Sequence, residues 1–291
     1  MTRGGSAKYV FLLPAIVWVF AFVIYPLIDS LGLSFFTYKL GQGRQDFVGF
    51  KNYVTALTSS DLHYSFYITI VYVIVTVLIE IIIGTALAWL VSKDLRYRDS
   101  FRTLYTLPIF ATPVAVGYLG VTIFNELGGL ANGVLGNVGI QVAWLSTTEG
   151  ALVAAVLLDV WRWTPFVFVI MLAGFQSIPQ DMYDQAALHT NSDIKFLRYV
   201  AIPLVRASLA VAIIGRVIRA FKVFGLPMAL TGGGPGRSTV FFNHYTYKVA
   251  MKFFNFGVGS AQAYLFLIFV VVVVALLYRL SRGQMGAGRG S

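Results

Sequence analysis

The stretch SIPQDMYDQAALHTNSDIKFLRYVAIP, residues 177–203, interrupts two long apolar runs with acids, amides, a histidine, a lysine and an arginine. In hydrocarbon every backbone polar group has to be bonded within the protein, so a polar, irregular segment of this kind lies outside the lipid. Proline cannot continue a helix interior and restricts the residue before it, so Pro179 and Pro203 mark where one apolar run stops and the next restarts. Between them the letters suit short amphipathic helices in water. Such a shape is useful only if something in the aqueous phase grips it, and the segment reads as a socket for another protein.

Composition agrees with the lipid on either side. Of 291 residues 58% are hydrophobic and 12% charged, with a mean hydropathy of +0.77, whereas an ordinary soluble domain carries about 25% charged residues. Runs near the ~20 apolar residues that a bilayer requires lie at 9–36, 65–91, 104–124, 151–175, 204–226 and 261–280. The first is too long, and holds Pro14 and Pro26, for a cleaved leader, so it reads as a retained span. These features predict an all-α membrane protein of about six transmembrane helices. They form one transmembrane domain over 1–291, with an aqueous loop at 178–203 and a disordered Gly-rich tail at 283–291. Lys and Arg are retained on the cytoplasmic side of short loops. Cytoplasmic N- and C-termini put Arg3, Lys8, Lys93, Arg96, Arg98, Arg102, Lys195, Arg198, Arg206, Arg279, Arg282 and Arg289 on that side, more than half of the 22 basic residues, and the 178–203 loop with them.

The net charge of +10 is thus a topology signal. No basic cluster interleaved with stacking aromatics stands outside the apolar runs, so nucleic acid is not an expected partner. The absence of cysteine excludes disulfides, iron–sulfur clusters and thiol nucleophiles, and His63, His189 and His244 are too scattered for a metal motif. No nucleophile–base constellation stands at helical spacing in the spans, so no catalytic residue is expected. The Gly-rich run 231–236 lacks a Gly-Lys-Ser/Thr ending and follows a membrane helix, so it reads as a turn closing the fifth span and not as a phosphate loop.

Several motifs taken together carry a family resemblance. Asp184-Gln185-Ala186, His189-Thr190-Asn191, Leu197 and Ile202-Pro203 stand in the register of the cytoplasmic "EAA" loop of ABC importer permeases. Thr190 occupies the place of the usual Gly, and Asn191, which tolerates positive φ, takes over the turn one residue later. Arg216, Ala220-Phe221-Lys222, Phe224, Leu230-Thr231-Gly232-Gly233-Gly234-Pro235, Asp159–Phe166, Ala173–Pro179 and Phe47–Tyr53 are similar to the sugar, polyol and glycerol-phosphate subgroup. The resemblance covers about Tyr9 to Leu280. It implies the type I, maltose-type importer permease fold in a bacterial inner membrane. It also implies a second, usually different, permease subunit, two ATP-binding subunits that hold ATP and Mg, an extracytoplasmic solute-binding protein and a sugar-like solute. This chain itself would be no enzyme and hold no cofactor. Asp184, Gln185, Ala186, Ala187, His189, Thr190 and Asn191 would form the contact to the ATPase.

Charges inside spans are costly and normally face a cavity or a partner. Here they are Glu80, Asp159, Arg162, Arg216, Arg219 and Lys222. Arg216, Arg219 and Lys222 recur at three-residue spacing on one broad helix face. The arginines face either a cavity or the carboxylates of Asp159 and Glu80, and Lys222 either that cavity or the outer headgroups. The resemblance places Asp159, Arg162, Trp163, Phe166, Arg216 and Arg219 on the substrate path. Trp161, Trp163 and Phe166 offer flat faces to sugar C–H groups. Relatives often carry an acid where Arg219 stands and another where Gly225 stands, so this chain has a surplus of guanidinium that suits an acidic sugar bearing phosphate, sulfonate or carboxylate. An ion-coupled secondary transporter of a small polar solute is the alternative reading, although it needs no proline-bounded docking loop.

Overall fold

In the computed structural model, which describes residues 4–39, 41, 43–93, 98–187 and 192–286, helix dominates. α1 (Gly4–Val19) continues through one π-helical turn into α2 (Tyr25–Leu33), followed by a hairpin of β1 (Phe36–Lys39) and β2 (Gly43–Phe47) and then by α3 (Lys51–Leu57) and α4 (Ser60–Ser92). α5 (Arg98–Thr106) and a 3₁₀ turn at Leu107–Phe110 precede α6 (Pro113–Ile123), α7 (Leu130–Gly136) and α8 (Thr148–Gln176). The polar interruption holds α9 (Gln180–Ala187) and α10 (Asp193–Phe196). After a π turn come α11 (Ile202–Leu204), α12 (Arg206–Phe221), α13 (Gly225–Thr231), α14 (Phe242–Tyr247) and α15 (Phe256–Gly286).

Four helical segments are long and apolar enough to cross a bilayer: Phe11–Leu33, Ser60–Ser92, Thr148–Gln176 and Phe256–Arg282. The straight spans expected at 104–124 and 204–226 are broken instead. Arg98–Phe110 meets Pro113–Ile123 at 99°, and Asp193–Leu204 meets Arg206–Phe221 at 76°, which brings the total to six if each bent pair is one span. Proline explains the first break. Thr112, held extended at φ −69° and ψ 149° before Pro113, caps the new helix by accepting from the Ala115 amide at 3.3 Å. At the second, Pro203 removes an amide donor and Val205 turns the chain at φ −93° and ψ 15°.

The chain divides into two compact units, one of residues up to His63 with Tyr245–Ile268, the other of Tyr64–His244 with Phe269 onward. In the first, the buried Asn52 donates to the carbonyls of Ser34 and Phe36, both at 2.9 Å, and fixes the turn between α2 and the hairpin. The Phe36 and Phe47 rings pair across the strands at 5.4 Å, a cross-strand contact that holds a hairpin the expected all-helical chain did not contain. Gly257 lets α15 approach this turn, because a Cβ there would strike the Phe36 carbonyl. Ser30 meets Ser260 at 3.2 Å and the Tyr264 hydroxyl donates to Leu27 O.

In the second unit, Trp89 of α4, Phe168 and Phe175 of α8 and Phe196 of α10 share an apolar core. α13 packs on α6 where Gly117 leaves room, since a Cβ would lie 2.6 Å from the Leu226 carbonyl oxygen. Gly232, at φ +62°, ends α13. The Gly-rich turn is therefore preceded by a further helix turned back against the bundle. The aromatic stretch after Ser238 is partly interior. Phe241 is fully buried on Tyr72, ring centres 4.6 Å apart, and the Phe242 amide donates to Thr69 Oγ1 at 2.8 Å. α15 runs on to Gly286, so the expected tail contributes 283–286 to that helix, and 287–291 lie outside the described residues.

Candidate functional site

Three membrane helices bring one charged residue each to a common buried point. Glu80 comes from α4, Asp159 from α8 and Arg216, fully buried, from α12. Arg216 donates through Nε to Glu80 Oε2, through Nη2 to Glu80 Oε1 at 2.8 Å, and through Nη2 again to Asp159 Oδ2. Its Nη1 is buried without a hydrogen-bond partner. A single charge at that depth is prohibitive unless paired and hydrogen-bonded, so the three side chains also fasten three helices to one another.

Beside this point lies a cavity of about 200 Å³. Its walls include Pro113, Asp159, Arg162, Trp163, Arg219 and Lys222, together with Val223 to Leu226. Trp163 is central. The guanidinium of Arg162 lies 4.6 Å from its ring centre, that of Arg219 4.7 Å and that of Arg216 5.5 Å. Arg162 has a further task, because its Nε donates at 2.8 Å to the carbonyl of Ala111, which the break before Pro113 releases from helical bonding. The bend of the third span is thereby tied to α8. With the Asp159 carboxylate engaged by Arg216, the charges facing the cavity are those of Arg162, Arg219 and Lys222, and the latter two side chains are exposed.

Five of the path residues read from the sequence, Asp159, Arg162, Trp163, Arg219 and Lys222, thus converge. Phe166 stands just behind, 5.1 Å from the Arg219 guanidinium and 6.0 Å from the Trp163 ring. Trp161 is half-exposed at 48% and does not line the cavity, because two residues along a helix is about 200° of rotation away from Trp163. Arg216 is the buried linker and does not line the cavity either, although Arg219, one turn on, does. Lys222 is not on the helix face at all but caps α12 at φ −86°. Glu80 and residues 223–226 were not among the path residues; the visible signal for Glu80 was a carboxylate in an otherwise apolar span.

The docking segment is described in part. α9 carries Asp184, Gln185, Ala186 and Ala187, with Gln185 exposed, whereas His189, Thr190 and Asn191 lie outside the described residues. Its exit is anchored. Ser192 caps α10 by accepting from the Lys195 amide at 3.4 Å, Asp193 pairs with Lys93 at 2.5 Å, and the Phe196 ring stacks on Trp89 at 5.6 Å. Between α6 and α8, the Glu126 carboxylate accepts from the amides of Leu145 and Ser146, at 2.9 and 2.8 Å, and from the Ser146 hydroxyl. The Ser146 hydroxyl and amide hold its carboxyl below the usual carboxylate range.

Residues 80–285 match the family described as binding-protein-dependent transport system inner membrane component. The chain is similar to the trehalose/maltose transport system permease protein MalF of Thermococcus litoralis, 31% identical over 96% of this chain and 95% of that protein. It is also similar to the sulfoquinovosyl glycerol transport system permease protein SmoG of Agrobacterium fabrum, 28% identical over 93% and 89%. A solved bacterial alginate ABC transporter, in complex with an alginate pentasaccharide-bound periplasmic protein, contains a chain of the same fold. It superposes with a TM-score of 0.83 over 95% of this chain and 94% of that one, at 21% identity.

Proposed function

The chain belongs to the family of binding-protein-dependent transport system inner membrane components, and from that premise we propose that it passes a sugar or short oligosaccharide carrying an acidic group. It is a membrane permease subunit of an ABC importer without catalytic activity of its own, which displaces the ion-coupled alternative. Its partners in this reading are a second, different permease, an extracytoplasmic solute-binding protein that delivers the sugar, and two ATP-binding subunits that hold ATP and Mg. Both termini face the cytoplasm.

The observation that carries the solute class is the cavity's charge. Arg162, Arg219 and Lys222 face a space whose one carboxylate, Asp159, is engaged by Arg216. A guanidinium offers a fork of donors to carboxylate or sulfonate, and a hydrogen bond to a charged group contributes about 1.5–3 kcal/mol net. The Trp163 ring gives sugar C–H groups a flat wall. Of the relatives named above, those for sulfoquinovosyl glycerol and alginate carry acidic sugars, whereas trehalose and maltose are neutral, so the assignment rests on the cavity's charge. The loop containing Asp184 to Asn191 is the ATPase contact, and closure of the ATPases on ATP moves it together with the anchored exit at Asp193 and Phe196.

ATPase activity of the reconstituted complex with its binding protein tests the solute, using uronate-containing oligosaccharides and their neutral counterparts. Stimulation by the acidic ligands, lost about tenfold in Arg219→Gln, is the expected result. A preference for neutral sugars overturns the acidic assignment, and indifference to every sugar overturns the sugar assignment.

A further inference from the structure

Lys222 reaches the cavity because the chain breaks between α12 and α13. α12 ends at Phe221, the amides of Lys222 and Val223 donate back to Arg219 O and Ala220 O, both at 3.1 Å, and Phe224 turns at φ −157° and ψ −64° before α13 begins. A helix end leaves carbonyls without partners inside the helix. Here the Phe221 carbonyl, and that of Val223 in the turn beyond, are both taken by one side chain. Asn243 of α14 donates through Nδ2 to Phe221 O at 2.7 Å and to Val223 O at 3.2 Å. These are the carbonyls on either side of Lys222. Both are acceptors, and the carboxamide carries its two N–H groups on one nitrogen, so the bonds themselves fix which way the amide faces.

Asn243 does not line the cavity, and its neighbours in the chain hold it firmly. Phe241 is fully buried, the Phe242 amide donates to Thr69 Oγ1 at 2.8 Å, and the buried His244 ring stands edge-on to Phe224 at 6.1 Å. Gly233, at φ +102°, makes room for that imidazole, since a Cβ there would lie 2.8 Å from its Cε1. The amide is thus presented by a packed segment. We propose that Asn243 is a positioning residue for the solute: by gripping the carbonyls that flank Lys222, it fixes where the Lys222 ammonium group stands in the cavity. The lysine needs such a hold. Its side chain is exposed, and its flexible four-carbon stem lets the charge wander unless the backbone beneath it is fixed. A side chain that never touches solute therefore sets the grip of one that does. This rests on the reading of the cavity as the solute path.

Two measurements on the full complex in vesicles separate the inference from that reading. Because the chain contains no cysteine, a small thiol reagent acting on Lys222→Cys reports on that position of this chain alone. Adding Asn243→Leu, similar in size but without a donor, should change the reaction rate about fivefold or more, as the loss of two hydrogen bonds implies. The rate at Thr58→Cys should stay the same. An unchanged rate at Lys222→Cys, or an equal change at Thr58→Cys, overturns the positioning role whatever the solute is. The second measurement is uptake of a labelled uronate trisaccharide at low concentration. Asn243→Leu and Lys222→Gln should each lower it about tenfold, and the double variant no further than Lys222→Gln alone. Asn243→Gln, which keeps both donors, should retain most of the uptake. Losses that multiply to about a hundredfold would make the two residues independent and overturn the link. Undiminished uptake by Lys222→Gln overturns the solute path itself, and with it any role of Asn243 in transport.

Discussion

Arg216 holds two carboxylates with one guanidinium, and that imbalance sets the order in which substitutions hurt. Glu80→Gln leaves the Asp159 pair and should destabilise modestly. Arg216→Gln strands two buried carboxylates and should cost about 3–5 kcal/mol. The exchange Glu80→Arg with Arg216→Glu should recover part of that loss, and thermal unfolding of the purified complex reads all three. If Glu80→Gln proves the more damaging, the pairing is misassigned. Glu126 gives a pH test outside the membrane. Its folded pKa is lowered, so its bonds to Leu145 and Ser146 contribute above the unfolded carboxylate pKa and are lost as pH falls through the folded one. Amide exchange at 145 and 146 should accelerate in that acid range, and Glu126→Gln should remove the dependence.

At the scale of elements, the docking segment is joined to the bundle at its exit through α10. Trp89 stacks on Phe196 and sits edge-on to Phe175 at 5.4 Å, and Lys93 lies 5.1 Å above the same indole while pairing with Asp193. Trp89→Ala should cost about 3–5 kcal/mol through the cavity it leaves. Asp193→Lys sets two ammonium groups together at an exposed site. It should cost little stability, yet loosen the exit and lower transport relative to ATP hydrolysis. Asp184→Lys and Ala186→Phe on α9 should uncouple more strongly. Solute uptake measured beside phosphate release separates these cases, and tight coupling in all three variants of the docking segment would place the lever elsewhere.

The whole molecule lends itself to a direct test of orientation because it contains no cysteine. Single substitutions therefore label at one site only. Thr58→Cys, exposed on the turn before α4, should react with a membrane-impermeant maleimide in intact cells. Gln284→Cys near the end of α15 should react only once the membrane is opened. The reverse pattern would invert the topology and move the docking segment away from the ATPases. The apolar exterior of Phe11–Leu33, no part of which is buried against the described residues, is at this scale a surface for lipid or for the neighbouring permease.

The apolar runs, four of them matched by long helices and two by bent pairs, and the polar interruption at 177–203 followed from the letters alone, because apolar run length, proline and charge asymmetry are local properties of the chain. So was the cavity's chemistry legible in Asp159, Arg162, Trp163, Arg219 and Lys222, since charged and aromatic residues within a span have few other uses. Which of them meet was not. Glu80 and Asp159 lie 136 and 57 residues from Arg216, and only packing of α4, α8 and α12 decides that Arg216 is spent on those carboxylates while Arg219, one turn away, is left facing open space. The same holds for the two bends and for α13 turned back on α6: Pro113 and Pro203 allow a break, but its direction comes from what the chain packs against. A buried charge takes the nearest opposite charge because water is absent, and nearness in three dimensions is what a sequence does not state.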